Sequence, residues 1–258
     1  MKNVFYLVLG FAANSVFGAF GDRHYEGAQS EWSNNETVES RLSIIQTLLP
    51  ESPMIFEVGA FDGSDSVKLA KMWPQGTIVS FEANPERFSQ YQKKAMEFAN
   101  MQGYNLAVNT YNGTAEFFLC WGTNGVDPIF EGASSLLPAS DSMAVHYMGP
   151  KISVPCVILD DWCQQNRIDA FDFLWLDLEG FEIQFLRSSP HILRNASVIY
   201  TETNFYEFRK ATSQYGELKS FLESEGFEVI AHWYSEGLQG DAIFVRKELV
   251  TKNHLGSL

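Results

Sequence analysis

The reading of the fold starts at Met54-Ile55-Phe56-Glu57-Val58-Gly59-Ala60-Phe61-Asp62-Gly63. A short apolar run that breaks into a glycine turn is how a strand buried on both faces of a parallel sheet looks. Gly59 and Gly63 let the backbone turn tightly and come close to a ligand. Ser64 can cap a helix over 65–73, which Pro74 stops. Upstream, Val38, Leu42, Ile45 and Leu49 recur at helical spacing over 37–49, and Pro50 and Pro53 end that helix.

Downstream the alternation repeats. A strand is expected over 77–81, a helix over 85–99 with Pro near its first turn, and a third strand over 104–108. Asn112-Gly113 signals a turn into a strand over 114–120. Residues 122–150 are rich in Gly, Ser and Pro without periodicity, too long for a routine connection, and read as a substrate-side loop. Regular structure resumes with a strand over 152–159, a short helix over 160–166 and an apolar central strand over 171–178. A helix over 183–193, a strand over 197–203, a helix over 215–225 and a strand pair over 227–234 and 241–246 follow. Strands alternating with helices predict an α/β fold: a mostly parallel, Rossmann-like sheet with helices on both faces, closed by an antiparallel C-terminal pair. One core is expected over 37–250, with 22–36 a linker and 251–258 a tail.

The totals narrow the partners. The chain has 258 residues, enough for one large domain, and 32 carboxylates against 18 basic residues give a formal charge of −14. A field of that sign repels phosphate backbones, and no Lys/Arg stripe offsets it, so nucleic acid is not expected as a partner. Cys120, Cys156 and Cys163 have no metal-ligand spacing and read as free thiols, with one disulfide open if the protein is exported. Residues 1–21 carry Lys2, an apolar run and small residues at Ala19 and Gly21, the pattern of a secretory signal peptide. An uncleaved N-terminal anchor, a packed helix and a cytoplasmic protein are the competing readings. Triplets at Asn35, Asn112 and Asn195 fit N-glycosylation, a pattern frequent by chance.

Open α/β sheets bind ligands beyond the carboxyl ends of their strands. Glu82 ends the second strand, 23 residues after Gly59, the position from which a carboxylate accepts hydrogen bonds from ribose hydroxyls. A dinucleotide needs unobstructed amides and Gly-x-Gly-x-x-Gly. Here Asp62 stands in the turn, repels a pyrophosphate and suits a sulfonium and an amino group instead. The turn chemistry therefore favours S-adenosylmethionine over a nicotinamide. At the third strand end, Asp177 and Glu179 alternate with apolar residues and leave one side of the strand. They suit substrate orientation, proton acceptance from a hydroxyl, or a cation shared with Glu202. Three oxygens without a nearby His make a weak metal set, and no metal is expected.

These motifs, in this order, resemble the FkbM-type methyltransferases. The likeness runs from about Met54 to Thr203. It is carried by Glu57-Val58-Gly59-Ala60 with Asp62-Gly63, Phe81-Glu82-Ala83-Asn84-Pro85, Asn105-Leu106-Ala107-Val108, Asn112-Gly113-Thr114, Gly132-Ala133-Ser134-Ser135-Leu136, Val157-Ile158-Leu159-Asp160-Asp161 and Leu176-Asp177-Leu178-Glu179-Gly180-Phe181-Glu182. The resemblance implies a class I methyltransferase sheet of seven strands, S-adenosylmethionine as methyl donor, and O-methylation of a hydroxyl on a sugar, glycan or small metabolite. It also implies that Glu57, Gly59 and Asp62 line the methionine end within the turn that includes Ala60 and Gly63. Glu82, beside Ala83 and Asn84, holds the ribose, and Ala107 lies near the adenine. Ser134, Ser135 and Glu202 fall on the substrate side, with Asp177 and Glu179 as catalytic candidates and Asp177 as the first choice of base. Two residues depart from the family: Glu57 replaces a frequent Asp, and Trp175 replaces a frequent Lys. A non-catalytic S-adenosylmethionine-binding protein and a nicotinamide-dependent oxidoreductase remain the alternatives on fold alone.

Overall fold

A computed structural model describes residues 37–122, 131–235 and 238–253. The proposed signal segment, the 22–36 linker, the Asn35 triplet and part of the 122–150 loop lie outside the described residues. The chain forms α1 (Val38–Gln46), β1 (Met54–Val58), α2 (Ser64–Met72), β2 (Thr77–Phe81), α3 (Pro85–Ala95), β3 (Met101–Tyr104), β4 (Ala107–Val108) and β5 (Gly113–Phe118). It continues with β6 (Lys151–Val157), α4 (Leu159–Asn166), β7 (Phe173–Leu176), α5 (Glu182–Ser188), α6 (Pro190–Asn195), β8 (Val198–Asn204), α7 (Tyr215–Ser224), β9 (Phe227–Ser235), β10 (Gln239–Arg246) and α8 (Lys247–Asn253).

Seven strands make the main sheet in the order β3-β2-β1-β7-β8-β10-β9. Pairings from β3 through β8 are parallel, while β10 runs antiparallel between β8 and β9. Strand order reverses at β1, which is flanked by β2 and β7, and this puts the ligand-binding crevice at the carboxyl end of β1. Alternate residues of each strand face opposite layers. Phe56, Val58, Leu174 and Ile199 pack under α4 to α7, whereas Ile55, Phe173, Trp175 and Tyr200 pack under α1, α2, α3 and α8.

The structure corrects several expected elements. The third strand ends at Tyr104 instead of starting there, and Ala107–Val108 leaves for a separate small sheet, β4-β6-β5. The strands expected over 114–120 and 152–159 belong to that small sheet, over its own apolar cluster of Phe117, Val154 and Cys156. The single helix expected over 183–193 is two helices, broken at Ser189-Pro190. Proline has no N–H to continue the first helix, and the Asp160 carboxylate accepts from His191 N (2.7 Å) and Ile192 N (2.8 Å) to start the second. The helix expected over 85–99 ends at Ala95, and the strand expected over 171–178 is only Phe173–Leu176. Part of the expected tail is helical, because α8 runs to Asn253. All three cysteines are buried free thiols. No helix among the described residues is long and apolar enough to cross a membrane.

Candidate active site

The first turn is built by steric necessity. Gly59 has φ +95°, and a Cβ there would lie 2.0 Å from the Asp177 carbonyl oxygen, so only glycine lets β1 and β7 close together. Gly59 N and Ala60 N both donate to Phe81 O at 3.0 Å, which fixes the turn against the end of β2. Gly63, at φ +79°, packs against the Tyr91 ring.

Two carboxylates expected at the methionine end have local partners. Glu57 shares its face of the sheet with Ile55, so its side chain lies under α2, almost fully buried. It accepts from Ser80 Oγ (2.8 Å) and from the Ser66 hydroxyl. Burial, reinforced by Asp65 and Asp177, pushes its carboxyl up to about 8 despite those two bonds. Asp62 forms an ion pair with Lys94 (2.8 Å) and accepts from Ser64 N (3.0 Å). Burial raises the Asp62 carboxyl, but Lys94 and Ser64 outweigh it and hold it below its usual range. Its charge is therefore balanced locally, and the expected repulsion of a pyrophosphate by Asp62 loses its force.

Glu82 sits as expected, at the end of β2 beside the turn. Its Oε2 accepts from Phe61 N and its Oε1 from Asn84 N, both at 2.7 Å. Burial raises its carboxyl to about 7 against the lowering effect of those amides. The side chain is only 7% exposed, and each oxygen keeps a lone pair for a further donor. Asn105 Nδ2 donates to Glu82 O (2.8 Å) and Ala83 O (3.2 Å), and Asn84 caps α3 through Glu86 N (3.0 Å). Ala107 is buried in β4.

The third strand end gathers Asp177, Glu179 and Glu202, whose carboxylate oxygens lie within 4.8 Å of one another. Strand alternation does not bring them together, because β7 stops at Leu176. A left-handed turn does, with Glu179 at φ 52° and Gly180 at φ 99°. The buried Glu182 carboxylate holds that turn, Oε1 accepting from Leu178 N (3.1 Å) and Gly180 N (3.2 Å). Burial lifts Glu182 to about 7 despite these bonds. Glu202 is held well above its usual range, first by burial and then by Glu179, Asp177, Glu182 and Asp241, all negative neighbours.

Ser134 and Ser135 serve the backbone. Ser134 Oγ donates to Glu131 O (2.7 Å) and accepts from Cys120 N (3.0 Å). Ser135 Oγ lies 3.3 Å from Leu178 O and Glu179 O and fastens the long loop to the acidic turn. Sequence reasoning missed two further clasps. Glu131 is buried, pairs with Arg87 and accepts from Trp121 Nε1 (3.1 Å), so it ties the loop to α3. Arg209, 1% exposed, donates to Leu137 O (2.8 Å) and to Ala133 O. No local pattern marks either one, since each is an ordinary charge until the loop folds over it. Trp175, where the family often has Lys, is a core residue packed edge-to-face on Tyr200 with ring centroids 4.8 Å apart. Position 175 faces α1 and α2, away from the Phe56–Leu174 layer.

The sheet order with its inserted antiparallel last strand, and the three modified strand ends at the switch point, define a class I methyltransferase fold. Comparison with known proteins gives the family. The Methyltransferase FkbM domain matches residues 57–229, and the chain belongs to the FkbM methyltransferase family. It is an S-adenosylmethionine-dependent methyltransferase of this type. It is 25% identical over 209 residues to the 2-O-methyltransferase NoeI of Sinorhizobium fredii, covering 80% of this chain and 84% of that protein. The structure of a methyltransferase FkbM from Methylobacillus flagellatus matches with a TM-score of 0.52 at 13% identity, over 81% of this chain and 48% of that one.

Proposed function

We propose that the protein transfers the methyl group of S-adenosylmethionine to a hydroxyl oxygen of a sugar or other small metabolite. The observation that carries this reading is the meeting of three carboxylates, Asp177, Glu179 and Glu202, one chain crossing away from the Gly59 turn. The similarity to a 2-O-methyltransferase supports an oxygen acceptor. A group of negative neighbours suits hydroxyl donors and the cationic sulfonium of the methyl donor, and it disfavours phosphorylated acceptors.

In this reading Glu82 receives the ribose hydroxyls, beside Ala83 and Asn84. The backbone at Gly59 and Ala60 lies along the methionine part, and Ala107 borders the adenine. Glu57, Asp62 and Gly63 shape the turn from behind. The acceptor oxygen attacks the methyl carbon in line with the departing sulfur. The C–O bond forms as the C–S bond breaks, and the hydroxyl proton passes to Asp177. Alignment of oxygen, carbon and sulfur supplies most of the acceleration, and the carboxylate adds about 100-fold or more. The N-terminal pattern supports entry into a secretory compartment, where the methyl donor must be delivered from the cytosol.

Calorimetric titration with S-adenosylmethionine and then NAD, on wild type, Glu82→Ala and Asp177→Asn, tests the assignment. S-adenosylmethionine alone is expected to bind. Glu82→Ala weakens it by about tenfold or more, a loss of roughly 1.4 kcal/mol or more. Asp177→Asn leaves cofactor affinity nearly intact and lowers turnover about 100-fold on an accepted hydroxyl substrate. A folded wild type that ignores S-adenosylmethionine overturns the cofactor assignment, and full turnover in Asp177→Asn retires the base.

A further inference from the structure

We propose that Glu131 is a positioning residue for methyl transfer. Through Arg87 and Asn84 it sets the carboxylate of Glu82, and through the short segment 131–135 it holds the 177–180 turn in register with that carboxylate. This role rests on the ribose-binding function given to Glu82 above.

Each oxygen of Glu82 is held by one amide, Oε2 by Phe61 N and Oε1 by Asn84 N, both at 2.7 Å. Both of those residues lead to a single atom, Oε2 of Glu131. Asn84 Nδ2 donates to it at 3.4 Å, and Arg87 Nε pairs with it. The Arg87 guanidinium also covers the Phe61 ring, 5.0 Å from its centroid, and donates through Nη1 to Gln90 Oε1 (3.2 Å). Phe61 is a non-glycine residue at φ 50°, a conformation that persists only where neighbours over-determine it. The stacked guanidinium is such a neighbour.

The other side of Glu131 faces the acceptor end. Its Oε1 accepts from Trp121 Nε1 (3.1 Å). Its carbonyl oxygen accepts from Ser134 N (3.1 Å) and Ser134 Oγ (2.7 Å), which closes residues 131–134 into one tight turn. Arg209 donates to Ala133 O within that turn. Ser135 follows, with its Oγ 3.3 Å from both Leu178 O and Glu179 O. A short stretch of fixed backbone thus joins the ribose carboxylate to the turn that carries Asp177 and Glu179. Methyl transfer needs oxygen, carbon and sulfur in line, and a misplacement of about 1 Å costs about 100-fold. The link depends on charge, because Glu131 is buried and holds Arg87 as its counter-ion.

The test is calorimetric titration of the full chain with S-adenosylmethionine from about pH 5.5 to about pH 8.5. Two amides and two ribose hydroxyls on its two oxygens require Glu82 ionised, so wild-type affinity should rise with pH as that carboxyl loses its proton. Asp177 holds that proton on, and Arg87 helps to release it. Glu131→Gln leaves Arg87 without its counter-ion and should move the rise to lower pH. Arg87→Gln removes the cation and should move it to higher pH, each by about half a unit. At the alkaline plateau both variants should bind roughly three- to tenfold more weakly. Arg87→Lys keeps the charge without the planar stack, so it should lose affinity with its pH profile unmoved, and it replaces Arg87→Gln if that variant fails to fold.

Hydrogen exchange reads the second end. Saturating S-adenosylmethionine should slow amides at 177–183 in wild type, and in the variants only those near 57–63 and 82–87. Circular dichroism melts confirm folding. Folded variants with unmoved pH profiles and wild-type exchange patterns overturn the proposal, as does a wild type whose 177–183 amides ignore the bound ligand. If Glu82→Ala binds as tightly as wild type, the ribose reading falls and takes the proposal with it. Weakened Glu82→Ala beside an unaffected Glu131→Gln removes the positioning role alone.

Discussion

The carboxyl ends of β2 and β7 are both crowded with buried carboxylates, yet they are stabilised differently. At β2, Glu82 is met by two backbone amides, and behind it Glu57 is met by two serine hydroxyls and Asp62 by a lysine. At the end of β7, the strongest electrostatic influences on Glu202 are four other carboxylates, and one Glu182 oxygen has no donor. Buried polar groups with complete sets of partners give a rigid site. The first region is thus preorganised by the protein alone. The second crowds carboxylates together, and the crowding is relieved by Gln239 Nε2, which donates to Glu202 (3.2 Å), and by the tighter hold of Glu182 and Glu202 on their protons.

The contact joining the two regions is the place to break the comparison most severely. Gly59→Ala places a methyl group against the Asp177 carbonyl at a left-handed φ, so both strand ends must shift together. We expect a stability loss of about 3 kcal/mol or more, measured by urea unfolding, and no detectable S-adenosylmethionine binding. Normal stability and binding would show that the regions are independent.

A smaller effect sharpens the contrast through pH. Glu57 is raised to about 8, and Glu82 and Glu182 to about 7. Each therefore binds its proton more tightly folded than unfolded. Their contribution to stability is complete below the unfolded value near 4.5 and is lost as pH rises through 7 and 8. Ligand-free protein should thus weaken between about pH 5 and about pH 8.5. Glu57→Gln, which imitates the protonated form, should flatten that decline by about 1 kcal/mol or more at the alkaline end and change little at the acid end. Parallel wild-type and variant profiles would remove Glu57 from the account. The smallest effect belongs to Asp62→Asn. It removes a partly exposed ion pair with Lys94 and should cost about 1 kcal/mol or less, with cofactor affinity within about twofold. A large loss of affinity would return Asp62 to the methionine end.

What the sequence revealed of this arrangement was whatever is local. The run into Gly59, the Glu82 position and the Asp177-Leu178-Glu179-Gly180 cluster are each written in a few consecutive residues. Misreadings arose where distant contacts decide. Gly103 weakens the strand signal of β3, yet glycine is required there because a Cβ would lie 2.1 Å from the Tyr91 ring. Glu57 matches a motif position, but its bonds to Ser66 and Ser80 under α2 depend on strand parity and on a helix no local pattern places there. Glu131 and Arg209 had no signal at all, since their partners lie 44 and 72 residues away. Pro190 was legible, and weighing it properly would have split the helix.

The place of β10 has a consequence for biosynthesis. It follows every other described strand in the chain, yet it lies inside the sheet, paired on both sides with strands made earlier. Until residue 246 has emerged, β8 presents a bare edge whose residues are almost all destined for burial, and β9 has nothing to pair with. Such an edge is a template for association with other chains. Nascent chains truncated shortly before β10 should therefore be captured by chaperones or aggregate, and the arrival of β10 is the step that closes the sheet.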